Sequence, residues 1–314
     1  MSANASKQSP FAWSLLLVFL GTAIHLVMGF STELSVDEAH YALYANHLAW
    51  SYFDHPPLVG WIQWPLVAIN APDGILRLIP ITLWIISCFL VYHIADQLDE
   101  YCTQRSLFIK APTPNNPSYA GLAAVAMIVF APLPHVLAVG LVPDSLLTPL
   151  SLGILWMSLQ WLKQDGQLSF NQWIGLGLLF GLAGLSKYTA ILYALAFAIA
   201  CLSVPRFAFL KQSGFYSAIA IALLLISPVL LWNAQYDWIS FKYQIDHGSG
   251  GDWQWRRLAA FLGLQIVVFG FLPLLGLWAY SRMVGFTKRP FVSILLVFFI
   301  LPFSVFAALS GGGG

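Results

Sequence analysis

The amino-terminal part of the chain combines an apolar run with a polar stretch that follows it directly. The apolar run is FAWSLLLVFLGTAIHLVMGF (11–30), and the polar stretch contains SVDEAHYALY (35–44) and YFDHPPL (52–58). A helix needs about 20 apolar residues to cross a bilayer, and this run supplies them. Ionisable groups beside such a segment are costly unless they face water or form a functional site. These residues therefore predict a membrane-spanning helix with a candidate site at its end.

The composition of the whole chain predicts an all-α polytopic membrane protein. Of its 314 residues, 59% are hydrophobic and only 9% are charged, whereas a soluble domain carries about 25% charged residues. Backbone that crosses lipid must satisfy its own hydrogen bonds, which favours helices. The formal net charge of +1 gives no indication of nucleic-acid binding. Cys88, Cys102 and Cys201 lack metal-binding or redox spacing, so we interpret them as packing residues.

The apolar segments predict about nine transmembrane helices. We interpret the first as a retained helix, because no small-residue cleavage site follows it. In the loop 31–73 we predict short helices lying at the membrane interface, since Ser35 and Glu38 form a capping-box pattern and Tyr41 and Tyr44 begin an aromatic stripe. The predicted spans are 11–30, 74–95, 118–130, 146–162, 173–185, 189–202, 215–232, 258–280 and 291–309.

Charged residues divide unevenly between the two sides of this predicted topology. With a cytoplasmic amino terminus, most basic loop residues lie on the cytoplasmic side and most acids lie on the other. Cytoplasmic loops are rich in lysine and arginine, so this division sets the orientation. The polar stretches 31–73, 143–145 and 233–257 then lie on the outer side together with Lys187. The outer acids are Glu33, Asp37, Glu38, Asp54, Asp73, Asp144, Asp237, Asp246 and Asp252.

Several short blocks resemble the GT-C membrane glycosyltransferases, and they do so in order, spacing and sidedness. The resemblance is to the branch with the protein mannosyltransferases and the lipid A aminoarabinose transferases, glycosyltransferase families 39 and 83, and it covers about residues 10–310. The blocks are DEAHY (37–41), YFDHPPL (52–58), GLSKYTA (184–190), PVLLWN (228–233) and WISF (238–241).

The resemblance implies a GT-C fold and inverting transfer of a sugar from a polyprenyl-phosphate donor. The acceptor would be a lipid, a glycolipid or a protein, at the outer (periplasmic) face of the inner (plasma) membrane. Residues 1–310 would form the transmembrane catalytic domain, and 311–314 a glycine tail or truncation point. The alternative is a polytopic transporter or flippase of a lipid-linked sugar, which would more often show internal repeats or ionisable groups at the bilayer midplane.

The resemblance assigns catalysis to acids of the outer loops. Asp37 matches the principal catalytic residue of the family and Glu38 follows it, while Asp144 matches a second outer acid that binds the acceptor or supports Asp37. A carboxylate in a partly dry cleft can act as a general base. Each acid also has a structural alternative. Asp37 can complement a helix dipole, Glu38 can complete the capping box, and Asp144 can cap a helix.

Five residues are candidates for binding the donor phosphate. Lys187 interrupts an apolar pattern and matches a lysine of the resembled transferases, although snorkelling to the interface also explains it. Arg256 and Arg257 can clamp a phosphate or simply mark the start of a span. Tyr188 adjoins Lys187. His55 stands where the aminoarabinose transferases carry a lysine, and a neutral histidine binds an anion weakly.

Asp54 and His247 form a metal hypothesis. Both lie in outer polar stretches, and histidine with carboxylate suits zinc or manganese. The sequence offers no third clear ligand for such a metal. A divalent metal is the one cofactor that we consider. The resemblance implies no nucleotide-sugar site, and no glycine-rich phosphate loop follows a strand. The predicted partners are therefore the membrane, the polyprenyl-phosphate sugar and the acceptor, without nucleic acid.

Overall fold

The computed structural model of the protein is built from helices. It describes residues 3–104, 119–202, 209–249, 251–271, 278 and 290–312, and no β-strand occurs within them. The predicted all-α class is thus confirmed for the described part of the chain. The helices are α1 (Ala3–Ser31), α2 (Val36–Asn46), α3 (Leu58–Ala68), α4 (Asp73–Leu76), α5 (Leu78–Gln104), α6 (Ala120–Phe130), α7 (Pro132–Val139), α8 (Pro143–Lys163), α9 (Phe170–Ser186), a 3-10 turn (Tyr188–Ala190), α10 (Ile191–Leu202), α11 (Ser213–Gln235), α12 (Ile239–Ser249), α13 (Trp255–Phe269) and α14 (Pro290–Gly312).

Five stretches within the described residues are long and apolar enough to cross a membrane. A sixth crossing results if α6 and α7, which are bent by 71° at their junction, form one broken span. Helices α9 and α10 lie at predicted spans but are shorter. The polytopic prediction is confirmed, and the count of nine stays a prediction because part of the eighth span falls outside the described residues. The five stretches are Pro10–Ser31, Asp73–Tyr101, Pro143–Lys163, Ser213–Gln235 and Val292–Gly312.

A pair of histidines, of which His25 is buried and His135 half-buried, holds α7 against α1. The Nε2 of His135 lies 2.6 Å from the Val129 carbonyl oxygen, which can only accept a hydrogen bond. In the neutral ring Nδ1 of His135 then accepts, and it receives the Nε2–H of His25 at 2.7 Å. His25 also meets Trp84 of α5 edge to face. These contacts fix the position of α7, which precedes the start of α8.

The predicted surface helices form as a stacked pair, α2 and α3. The capping box is present, because the Ser35 hydroxyl accepts from the Glu38 amide at 3.3 Å and Oε2 of Glu38 accepts from the Ser35 amide at 2.9 Å. Helix α3 approaches α2 closely at Gly60, where an added Cβ would lie 2.7 Å from Cβ of Tyr44. This close packing gives α2 a rigid support.

Arg77, between α4 and α5, ties α1 to α2. Its Nε and Nη2 donate to the two carboxylate oxygens of Glu38 at 2.8 and 2.9 Å. The remaining N–H groups bond the carbonyl oxygens of Gly29, Thr32 and Glu33 at the end of α1. A cation at a helix carboxyl end and a carboxylate at a helix amino end both match the helix dipoles. The angle at which the chain enters α2 is therefore fixed by one guanidinium.

Helices α9 and α11 pack closely along small residues. An added Cβ at Gly177 would lie 2.7 Å from the Ala218 carbonyl oxygen, and one at Gly181 would lie 2.5 Å from Leu225. Small residues let membrane helices approach each other in this way. Helix α9 ends at Ser186, because Lys187 has extended backbone angles (φ −154°, ψ 141°) before the 3-10 turn. The Lys187 side chain thus leaves the chain at a helix break.

Candidate active site

An ion pair joins two residues that the sequence marks separately. The ammonium of Lys187 donates to both oxygens of Asp144, at 2.8 and 2.7 Å. Next to it, the buried Ser186 hydroxyl donates to the Pro143 carbonyl oxygen at 2.8 Å. These two contacts fasten the carboxyl end of α9 to the amino end of α8. Asp144 and Lys187 therefore lie on the same side of the helical bundle.

The pair remains open to solvent. The side chain of Lys187 is 23% exposed and that of Asp144 is 47% exposed. Asp144 lies in the first turn of α8 and Lys187 just beyond the last turn of α9, so both charges are also favoured by their helix dipoles. A carboxylate and a cation are thus presented together at the surface of the bundle.

Three carboxylates act electrostatically on the buried phenol of Tyr41. Tyr41 is 8% exposed, and burial raises its pKa, with further increases from Asp54, Asp37 and Asp144. Asp37 itself is exposed and lies one turn before Tyr41 on α2. The predicted acids Asp37 on α2 and Asp144 on α8 therefore act on the same tyrosine as Asp54.

His55 is influenced by both the acidic residues and the ion pair. Burial lowers its pKa, Asp54 and Asp144 oppose that change, and Lys187 and His40 add to it. A neutral imidazole offers a hydrogen bond rather than a charge. Its Nδ1 is buried and has no hydrogen-bond partner among the described residues. The candidate phosphate ligand from the sequence is thus within electrostatic reach of Lys187, and its lowered pKa favours the neutral ring.

Asp54 is held by neighbours on α2. The Tyr44 hydroxyl donates to Oδ1 of Asp54, and Nε2 of His40 lies 3.3 Å from its Oδ2. Burial raises the pKa of Tyr44, and the hydrogen bond to Asp54 raises it further, so the phenol stays a donor. Gln244 of α12 donates to the Asp54 carbonyl oxygen at 2.7 Å. The loop between α2 and α3 is thereby attached to α12.

The metal hypothesis gains no ligand set from the described part of the chain. There, no group of three or more histidine, cysteine, aspartate or glutamate side chains is placed to hold a metal ion. His247 belongs to α12, but its side chain lies outside the described residues. The pairing of Asp54 with His247 stays a prediction.

Glu38 is enclosed, in contrast to Asp37. Its two oxygens receive hydrogen bonds from Arg77 and from the Ser35 amide. Burial raises the pKa of Glu38, but these hydrogen bonds outweigh burial and hold the pKa below its usual value. Because both oxygens of this ionised carboxylate already accept hydrogen bonds, Glu38 serves to position α2 and, with it, Asp37.

The other candidate phosphate ligands occupy two places. The Tyr188 hydroxyl lies 3.2 Å from the Ser51 hydroxyl, and its ring packs against Phe241. Arg256 is exposed and Arg257 half-buried in the first turn of α13. Helix α13 packs against α7 and α14. Tyr188 therefore adjoins Lys187. The two arginines lie on α13, which is not one of the helices that carry Lys187 and Tyr188.

A long apolar cavity begins at Lys187. Its volume is about 880 Å³, and α9, α10 and α11 form its walls. Lining residues run along α9 from Trp173 to Lys187, a length of about 21 Å at the rise of an α-helix. Ile191 and Leu223 line it and are also exposed, so the cavity reaches the apolar outer surface between α10 and α11. It has room for a lipid chain with a polar head at Lys187.

Sequence reasoning missed Arg77, His40 and the role of Tyr41. Arg77 lies inside the predicted span 74–95, and a charged residue within such a span usually has a partner of its own. That rule was the available signal. The histidine and the tyrosine lie one turn from Asp37 and Glu38 on α2, but their contacts depend on the position of Asp54.

Comparison of the sequence with known proteins indicates the family of the chain. The profile of the dolichyl-phosphate-mannose-protein mannosyltransferase family matches residues 54–232, more than half of the chain. The chain is also 26% identical over 276 residues to the lipid A galacturonosyltransferase RgtD of Rhizobium johnstonii. That alignment covers 86% of this chain and 54% of the relative, so the chain spans about half the relative's length. No solved structure matches the chain significantly.

The family match confirms the predicted resemblance to GT-C glycosyltransferases. It covers the loop with Asp54 and His55, the ion pair and most of the cavity wall. The chain therefore belongs to the dolichyl-phosphate-mannose-protein mannosyltransferase family.

Proposed function

We propose that this protein transfers a sugar from a polyprenyl-phosphate donor to a lipid acceptor at the outer face of the inner membrane. The observation that carries the proposal is the position of Lys187. It is the charged residue among those that line the long apolar cavity, and it lies at one end of them. A prenyl chain would occupy the cavity, and its phosphate would meet the ammonium.

The size of the cavity supports a lipid donor. Ligand pockets usually measure about 300–1,000 Å³ and are mostly apolar with a few polar groups, and this cavity has about 880 Å³. Lysine binds phosphate as a point charge. Tyr188 adjoins it and would contribute a hydroxyl, while His55 would contribute a neutral hydrogen bond. Arg256 and Arg257 stay candidates for a second contact from α13.

The acids would serve the acceptor. In an inverting transfer the acceptor oxygen bonds to the anomeric carbon from the face opposite the phosphate. The bond from that carbon to the phosphate oxygen breaks, and the phosphate leaves with its electron pair. Asp37 is exposed and lies close to Tyr41, so we assign it the proton of the acceptor hydroxyl. Asp144 would support the acceptor from the other side.

A lipid acceptor is favoured by the relative that aligns with most of this chain, which is named as a lipid A galacturonosyltransferase. The family name describes protein acceptors instead. Mass spectrometry of envelope lipids and glycoproteins from cells with and without the gene separates these two classes. A new sugar on a lipid, absent without the gene, is the expected result. A change on glycoproteins alone would contradict the lipid acceptor.

Replacement of one carboxylate tests the enzyme assignment. Asp37→Asn keeps the size of the side chain and removes its charge, so turnover by the purified protein should fall by about 10²–10⁴-fold. Glu33→Gln is the matched control, because Glu33 is an exposed acid of the same loop and turnover should stay near normal. If Asp37→Asn keeps full turnover, Asp37 does not take the proton. A transporter would keep its lipid movement in this variant.

A further inference from the structure

We propose that the ion pair between Asp144 and Lys187 is a donor-sensing latch. The phosphate of the donor replaces the Asp144 carboxylate on Lys187, so that Asp144 is free to face the acceptor only while the donor is bound. This inference rests on the proposed function, because it concerns the same donor site. It adds a regulatory step to that site, namely the order in which the charges become available.

The ammonium that the donor needs is already occupied. A lysine ammonium has three N–H donors, and Lys187 directs hydrogen bonds to both oxygens of Asp144 at 2.7 and 2.8 Å. A phosphate at the end of the cavity would meet a neutralised cation and a like charge beside it. Although one N–H donor is left over, the phosphate therefore competes with the carboxylate for the charge of the ammonium.

The exposure of the pair makes this competition feasible. Its side chains are 23% and 47% exposed, and ion pairs this open contribute little net stability because water solvates both partners. Phosphate offers oxygens that form charge-assisted hydrogen bonds with an ammonium. Lysine also has a flexible stem, so its head can turn from one anion to the other.

The backbone around the pair is fixed, which limits the exchange to side chains. The Ser186 hydroxyl and the Pro143 carbonyl oxygen form a buried hydrogen bond at 2.8 Å, one residue before each partner. The ends of α8 and α9 therefore stay together when the ion pair opens. Only the carboxylate and the ammonium need to move.

The freed carboxylate has neighbours in the acceptor region. Asp144 acts electrostatically on both Tyr41 and His55. Asp37 also acts electrostatically on Tyr41. Binding of the donor would thus complete the acceptor side.

Binding of undecaprenyl phosphate, which carries no sugar, tests the latch on the full-length protein in detergent. Asp144→Asn removes the competing charge, so affinity for this lipid should rise by about three- to tenfold. Asp165→Asn is the matched control. Asp165 is exposed beyond the other end of α8 and has a positive φ of 52°, which asparagine tolerates. Its affinity should equal that of the wild type.

A lysine variant separates failure of the latch from failure of the donor site. Lys187→Met should weaken binding of undecaprenyl phosphate by about tenfold to a hundredfold, and Lys163→Met should not. If Lys187→Met weakens binding but Asp144→Asn leaves it unchanged or weaker, the latch is wrong and the donor site stands. If Lys187→Met binds normally, the donor site and the latch are both wrong.

Carboxyl labelling of the unmodified protein gives a second test that needs no variant to fold. A carbodiimide with an amine probe labels accessible carboxylates, and mass spectrometry locates the products. Undecaprenyl phosphate should increase labelling of Asp144 and leave that of Asp165 unchanged. Unchanged or decreased labelling of Asp144 at saturating lipid would overturn the latch.

Discussion

Two ion pairs in this molecule use the same chemistry for different purposes. In the pair of Arg77 and Glu38, the side chains are only 3% and 7% exposed, and the guanidinium also bonds three backbone carbonyl groups. In the pair of Lys187 and Asp144, the side chains are 23% and 47% exposed, and the pair stands at the end of a cavity. A closed pair can only hold structure, whereas an open pair can exchange partners.

The difference follows from solvation. Charges removed from water depend on each other, and loss of one partner leaves the other buried and uncompensated. Charges that keep much of their water lose little when they separate. Guanidinium suits the closed site because its planar fork fits a carboxylate and several carbonyl oxygens at once, and ammonium suits the open site because it is a compact charge on a flexible stem. The contrast predicts which variants affect folding and which affect binding.

The largest effect on stability is expected from Arg77→Met. This change leaves the Glu38 carboxylate buried without its partner and removes the hydrogen bonds to the end of α1. The free energy of unfolding should fall by about 3–5 kcal/mol. Denaturant unfolding of the purified protein in detergent measures it.

The matched control for that variant is Lys163→Met. Lys163 forms an exposed ion pair with Glu100 at 3.5 Å, so its loss should cost less than about 1 kcal/mol. Equal stability of the two variants would show that the closed pair does not hold α1 and α2 together.

Acid should weaken the closed pair in a defined direction. The pKa of Glu38 lies below its usual value of 4.5 in the folded protein, so its contribution to stability is complete above that value and is lost as the pH falls through the lower folded pKa. Glu38→Gln mimics the protonated acid. The gap in unfolding free energy between wild type and Glu38→Gln should therefore narrow on acidification below about pH 4.5. A gap that stays constant would contradict the ion pair.

Local features of the sequence predicted the capping box and marked charged residues such as Asp144 and Lys187, but they did not predict which charged residues pair. The capping box of Ser35 and Glu38 depends on residues three apart, and the structure forms it as expected. Asp144 was marked by the polar stretch 143–145 and Lys187 by its charge in an apolar pattern. Their contact joins residues that are 43 positions apart in the sequence. Local sequence patterns span only a few residues, so they cannot predict such a contact.

Helix boundaries show the same limit. The end of the third predicted span at residue 130 agrees with the end of α6, because Pro132 follows it. The turn of 71° into a further helix, α7, was not predicted. That helix is joined to α1 by the hydrogen bond between His135 and His25, which is again a contact between distant segments. The polar side chains of an apolar chain can be predicted from sequence, but the choice of their partners depends on packing.

A smaller effect on stability is expected from Ser186→Ala, a change directly beside the ion pair of Lys187 and Asp144. Ser186→Ala removes the buried hydrogen bond to the Pro143 carbonyl oxygen and should lower the free energy of unfolding by about 1 kcal/mol. Ser217→Ala is the control, since that hydroxyl bonds a carbonyl oxygen of its own helix at 3.3 Å and its loss should cost less than about 0.5 kcal/mol. Identical unfolding curves for the two variants would mean that this hydrogen bond does not fasten α8 to α9.

The smallest effect on stability is expected from Lys187→Met. The partner left behind, Asp144, is 47% exposed and can be solvated in place, and it keeps the favourable position at the amino end of α8. Methionine also keeps the apolar contacts of the lysine stem along the cavity. The free energy of unfolding should therefore change by less than about 1 kcal/mol, although the same variant should bind undecaprenyl phosphate more weakly. A loss of stability as large as that of Arg77→Met would remove the distinction between the two pairs, because Lys187 would then stabilise the fold rather than remain available to bind a ligand.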